Sequence, residues 1–218
     1  MQRREFSFSA ATLAAISGLA LPMGAQAQAA VFKDGTDYLT LDKPAPVEVA
    51  AGQIEVIEFF WYSCPHCNVF EPQLSTWSKT QSKDVILKRT PIAFRPDFEP
   101  QQRLYYVLEA MGKVEELHKK VFYAVHVEKQ ALNTLETIAS WAEKQGVNKA
   151  KFTELYNSFS VSTKTRKATQ LQNAFQVDGV PALGIGGRYY TSGSMAKSME
   201  RALQVADYLV GQARNKVK

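Results

Sequence analysis

An apolar run, Ile54-Glu-Val-Ile-Glu-Phe-Phe-Trp-Tyr62, leads straight into Ser63-Cys64-Pro65-His66-Cys67. This junction constrains the fold more than any other segment. A short run rich in β-branched and aromatic residues reads as a strand buried on both faces, the parallel-sheet type. Beyond Cys67 the period changes: Val69, Phe70, Leu74 and Trp77 lie at helical spacing. Pro65 suits the first position of that helix, where a missing N–H costs nothing. Cys64 then falls at the N-cap, where a strand hands over to a helix.

The rest of the chain supplies partners for this unit. Val85 to Phe94 reads as a second strand, interrupted by Pro91. From Glu99 the pattern is helical for about 75 residues. Leu104, Val107, Leu108 and Met111 share one face, with Gly112 as a C-terminal stop. Leu117, Val121 and Val125 mark a second helix. Asn133-Thr-Leu-Glu136 reads as an N-cap with a glutamate three residues on, opening a third through Ile138, Ala139 and Ala142. Phe152, Leu155, Tyr156 and Phe159 mark a fourth, and Ser162 to Phe175 a fifth. After the Asp178-Gly179 turn, Val180–Ile185 and Arg188–Thr191 read as two strands joined by Gly186-Gly187. A helix from about Ser194 closes the chain. A strand–helix–strand start and a hairpin–helix end make an α/β unit, and the helical block reads as an insertion within it. The expected division is 28–97, an inserted all-helical domain 98–162, then 163–218.

Residues 1–27 read as an export signal. Met1-Gln-Arg-Arg4 gives a charged start, Phe6 to Leu21 an apolar stretch, and Ala25-Gln26-Ala27 a cleavage site, with Ala27-Gln28-Ala29 as a second option. The stretch is short for a membrane span, which needs about 20 apolar residues. Arg3-Arg4 also fits a twin-arginine signal. The mature chain is therefore expected to be soluble, in an oxidising compartment where disulfides persist. A formal net charge of +5 is spread along the chain without a basic stripe, so no nucleic-acid partner is expected.

Cys64 and Cys67 are the only cysteines in 218 residues. Bridging so small a loop adds little stability, so the pair points to chemistry. At the N-cap, Cys64 faces unpaired backbone N–H groups and the positive end of the helix dipole, which favour the thiolate. Cys67, three residues on, lies on the same helix face within disulfide reach and deeper. Cys64 is expected to be exposed and to exchange with a substrate thiol, and Cys67 to resolve the mixed disulfide. His66 between them can add positive charge or a hydrogen bond. A stabilised thiolate is a good leaving group and favours the reduced pair, so the oxidised pair is an oxidant. No metal is expected: zinc usually takes four ligands, and His118 and His126 read as ordinary helix residues.

Phe59-Phe60-Trp61-Tyr62-Ser63-Cys64-Pro65-His66-Cys67 after a signal segment resembles the DsbA family of periplasmic thiol:disulfide oxidoreductases. The resemblance covers essentially the whole mature chain and implies a thioredoxin fold interrupted by a helical domain. It implies that Gly179-Val180-Pro181 is the loop opposite the active site, with a cis proline and a valine that contacts substrate backbone. It implies that Glu58 is the buried acid near the cysteines, able to shuttle a proton. It implies no cofactor beyond the Cys64–Cys67 disulfide. The partners it implies are reduced or unfolded exported proteins, and a DsbB-like membrane quinone reductase for reoxidation. An isomerase or reductase of the same fold, and a non-catalytic chaperone-like binding module, are the alternatives. Such isomerases carry an N-terminal dimerisation domain; the 26 residues from 28 to 53 are too few for one, so a monomer is expected.

Overall fold

The computed structural model describes residues 32–217. The expected signal segment and both cleavage sites lie outside the described residues.

A five-stranded sheet carries the site. After the short β1 (Leu39–Thr40), the apolar run forms β2 (Ile54–Phe60), buried at every position. The chain then enters α1 (Pro65–Thr80) and returns through β3 (Val85–Pro91), parallel to β2. The two-residue shortfall of β2 against the expected end at Tyr62 leaves a loop, Trp61–Ser63, that delivers Cys64 to the helix. Likewise β3 stops at Pro91, which lacks an N–H for the ladder.

A 3-10 turn (Pro96–Phe98) opens the helical block of α2 (Glu99–Ala110), α3 (Val114–His126), α4 (Leu135–Lys144), α5 (Lys149–Tyr156) and α6 (Phe159–Ala174). Two boundaries differ from the sequence reading. The capping box of α4 uses Thr134 and Thr137 rather than Asn133 and Glu136. Phe159 opens α6 instead of closing α5, because Ser158 caps there through Val161 N–H. The expected 162/163 division falls inside α6.

The chain rejoins the sheet as β4 (Ala182–Ile185) and β5 (Tyr189–Ser192), giving the order β1-β5-β4-β2-β3. Gly184 is where β4 meets Phe175: a Cβ there would stand 2.5 Å from the ring. The closing helix is broken: α7 (Gly193–Ala196) ends at Lys197, at φ +72°, and α8 (Met199–Val217) follows.

Alternation along β2 distributes three cores. Val56 faces Phe70, Leu74 and the apolar side of α8, while Ile57 and Phe59 face Phe98 and Phe175. Phe60, Tyr62, Cys64 and Cys67 continue into the helical block, with Leu104, Leu117 and Phe122. The cysteines therefore sit on the seam between sheet and insertion. Val69, expected on the buried face of α1, is 65% exposed, and α1 runs on unbroken through Pro72. Among the described residues no helix is long and apolar enough to cross a membrane.

Candidate active site

Cys64 is the N-cap of α1 with Pro65 at the first helical position, as the motif requires. Both thiols are free. Hydrogen bonding from Cys67, then the backbone N–H groups of Cys67 and His66 and the nearby His66 charge, bring the Cys64 thiol down to about 6 against the opposing effect of burial. Burial pushes Cys67 the other way, well above the usual thiol range, and the Cys64 and Glu58 charges add to it. The two sulfurs are thus held apart in acidity by one turn of helix. Pro65 and His66 lie exposed on the rim.

Cys64 is 8% exposed and Cys67 0%. The expectation of an exposed Cys64 is corrected: it is the more accessible of two buried thiols. Its cover is the loop before β4, where the Val180–Pro181 peptide is cis and the Cys64 Sγ donates to the Val180 carbonyl at 3.3 Å. Asp178 in that loop accepts from the Tyr190 hydroxyl at 3.0 Å. Tyr189 and Tyr190 are both buried, in keeping with a packing role.

Glu58 is fully buried, and its register partner across the parallel ladder is Arg89. Arg89 Nε stands 3.3 Å from Glu58 Oε2, and Arg89 Nη2 2.9 Å from Glu71 Oε1 on α1. His118 Nε2 on α3 stands 3.4 Å from Glu71 Oε2. Burial, helped by the Glu71 charge, pushes Glu58 up to about 8, with Arg89 opposing. Burial acts on Glu71 as well, but His118 and Arg89 outweigh it and hold that carboxyl below the ordinary range. Burial lowers His118. At neutral pH the cluster therefore holds Arg89⁺, Glu71⁻, a protonated Glu58 and a neutral His118.

The insertion grips the loop that carries Cys64 at three points. Gln101 on α2 accepts from Ser63 N–H at 3.0 Å and donates to its hydroxyl at 2.7 Å. His118 Nδ1 lies 2.9 Å from the Tyr62 hydroxyl, and His126 Nε2 lies 2.7 Å from the Tyr62 carbonyl. Sequence reasoning missed Gln101, Glu71 and Arg89, and took both histidines for ordinary helix residues. Only Glu71 left a local signal: it shares the buried face of α1 with Cys67, Phe70 and Leu74, where an acid is out of place.

A helix-capping cysteine pair thus stands beside a cis-proline loop and above a buried acid. The sequence pattern of the DSBA-like thioredoxin domain matches residues 55–204. The chain belongs to this family. The thiol:disulfide interchange protein DsbA of Burkholderia cepacia is 40% identical over 205 residues, covering 94% of this chain and 96% of that protein. That of Bordetella parapertussis is 44% identical over 178 residues, covering 81% and 84%. The crystal structure of Pseudomonas aeruginosa DsbA superposes with a TM-score of 0.80 at 38% identity, covering 85% of this chain and 96% of the other. This DSBA-family chain therefore has a thioredoxin fold with a helical insertion, and it is a protein thiol:disulfide oxidoreductase acting as an oxidase. Of the readings open at the sequence level, the isomerase and the binding module give way to it.

Proposed function

We propose that Cys64 is the exchanging thiol, Cys67 the resolving thiol and Glu58 the proton carrier between turnovers. A substrate thiolate attacks Cys64 Sγ of the Cys64–Cys67 disulfide. The S–S bond breaks, Cys67 leaves with the electron pair, and the protonated Glu58 carboxyl gives it a proton. The substrate is now joined to Cys64. Its second thiolate attacks its own sulfur in the mixed disulfide, and Cys64 leaves as a thiolate. Two electrons have passed to the protein, and the substrate has gained a disulfide. While the pair is reduced Glu58 refills with a proton from water, and on reoxidation it passes that proton out and takes the one released by Cys67.

The observation that carries this reading is the N-cap position of Cys64, whose thiol lies at about 6 while Cys67 is pushed up. A thiol of low pKa leaves faster and stabilises the reduced protein, so the disulfide flows outward. Val180 and Pro181 line the approach to Cys64 Sγ and are assigned to holding the substrate chain. Pro65 and His66 tune the helix start. The division into 28–97, 98–162 and 163–218 is retained as a functional one: the first and third parts hold the chemistry, and the second braces the Cys64 loop.

The remaining assignments rest on the same chemistry. The substrates are exported proteins with free thiols, met in the periplasm after removal of residues 1–27. No cofactor is needed beyond the cysteine pair, and a DsbB-like membrane quinone reductase removes the electrons from a monomer. The test is transfer itself. The oxidised protein is mixed with a reduced two-thiol polypeptide, and thiols on each are counted by mass after alkylation. Loss of both substrate thiols with gain of both protein thiols is expected; unchanged substrate overturns the reading.

A further inference from the structure

We propose that His118, contributed by the helical insertion, is a positioning residue for the redox pair: its Nε2–H holds the negative charge on Glu71 and so leaves the cluster's exchangeable proton on Glu58. This rests on the reading of Glu58 as the proton carrier.

Two buried atoms lack a settled partner. His118 Nε2 and Glu71 Oε2 are both fully buried, and neither is matched with a hydrogen-bond partner. They face each other at 3.4 Å. Leaving a buried donor and a buried acceptor both unmade costs more than pairing them. The other ring nitrogen settles which atom carries the proton. Nδ1 lies 2.9 Å from the Tyr62 hydroxyl, and burial keeps that phenol protonated. Tyr62 therefore donates, Nδ1 accepts, and the ring proton is on Nε2, aimed at Glu71.

Arg89 alone does not choose between the two acids, because it approaches both. Of the two acids, His118 comes within bonding distance of Glu71 alone, with Glu58 next to it in the same cluster. With one cation for two buried carboxyls, one acid must keep a proton. The added donor on Glu71 leaves that proton with Glu58, the acid whose charge reaches Cys67. The groups facing the cluster are Glu58 from β2, Glu71 and Cys67 from α1, Arg89 from β3, Tyr62 from the loop, Tyr105 from α2 and Glu115 from α3. The insertion thus sets the proton inventory of the sheet.

Two isosteric substitutions separate the two sides of the ring. His118→Asn keeps a polar atom toward Tyr62 and loses the one toward Glu71; His118→Gln does the reverse. The Glu58 carboxyl is followed by carbon-13 NMR against pH in the reduced protein, assigned with Glu58→Gln. His118→Asn is expected to lower the Glu58 midpoint by about one unit or more, and His118→Gln to leave it in place. An unmoved midpoint in His118→Asn, or an equal shift in both, overturns the proposal. Nitrogen-15 NMR of the His118 ring in the unsubstituted protein tests it without any variant: an Nδ1–H tautomer overturns it. Disulfide transfer by Glu58→Gln is scored separately. Full activity there removes the proton-carrier reading while leaving the effect of His118 on Glu58 measurable.

Discussion

Cys67→Ala is expected to abolish disulfide donation, down to the rate of buffer alone, and to leave Cys64 in stable mixed disulfides. Without Cys67 the protein cannot form its own disulfide, so it has nothing to transfer. Cys64 keeps most of what makes it reactive: the helix start, the His66 and residue-67 N–H groups and the His66 charge. It loses the Cys67 hydrogen bond, the largest of the influences that lower it, so its thiol moves up from about 6. It is then the one thiol of the chain and still attacks a disulfide such as oxidised glutathione, but nothing resolves the product. Mass spectrometry after incubation is expected to show one glutathione per chain on Cys67→Ala and none on Cys64→Ala. Labelling of Cys64→Ala in place of Cys67→Ala would reverse the assignment, making Cys67 the exchanging thiol.

Glu58→Gln is expected to stabilise the protein in alkaline solution and to change little near pH 5. Folding raises this carboxyl from about 4.5 to about 8. Between those values the folded chain holds a proton that the unfolded chain has released. Stability therefore falls as pH rises through the window, by about 1.4 kcal/mol per unit for a single group. Below about 4.5 both states are protonated and nothing is lost. Above about 8 the full penalty of a buried second carboxylate is present. Glutamine cannot ionise, fills nearly the same volume and offers an oxygen to Arg89. A gain of about 2–4 kcal/mol at pH 8.5 is the expected size, allowing for relaxation around the cluster. Denaturant unfolding of the reduced forms at pH 5 and 8.5 measures it. Equal stability of the two proteins at both values would show that Glu58 is not held protonated.

The legible parts of this molecule were those written in short-range pattern. The strand into Cys64-Pro65-His66-Cys67 announced itself as a short β-branched and aromatic run that gives way to helical spacing, and Pro65 placed the helix start to the residue. The Gly186-Gly187 hairpin and the run of helices from Glu99 were visible for the same reason. What stayed hidden was pairing over distance. Arg89 stands beside Glu58 because β2 and β3 pair in parallel in one particular register, and no local feature of Val85–Pro91 encodes that. His118 and His126 sit eight positions apart on one helix, and their partner, Tyr62, lies more than fifty residues upstream. The cover over Cys64 comes from Val180, at a sequence separation of 116. Helical spacing placed Val69 inside, but the helix turns that residue outward and gives the buried position to Glu71, which only makes sense once Arg89 and His118 are in place.

The Cys64–Cys67 disulfide is, on this view, built to be given away. Equilibrating the protein against graded ratios of reduced and oxidised glutathione, and counting free Cys64 and Cys67 by alkylation, tests that claim most directly. A thiol stabilised as the Cys64 thiolate predicts a pair that stays half-reduced in strongly oxidising mixtures, at a potential well above the about −270 mV of thioredoxin. A pair that stays oxidised until the mixture is as reducing as thioredoxin would contradict it.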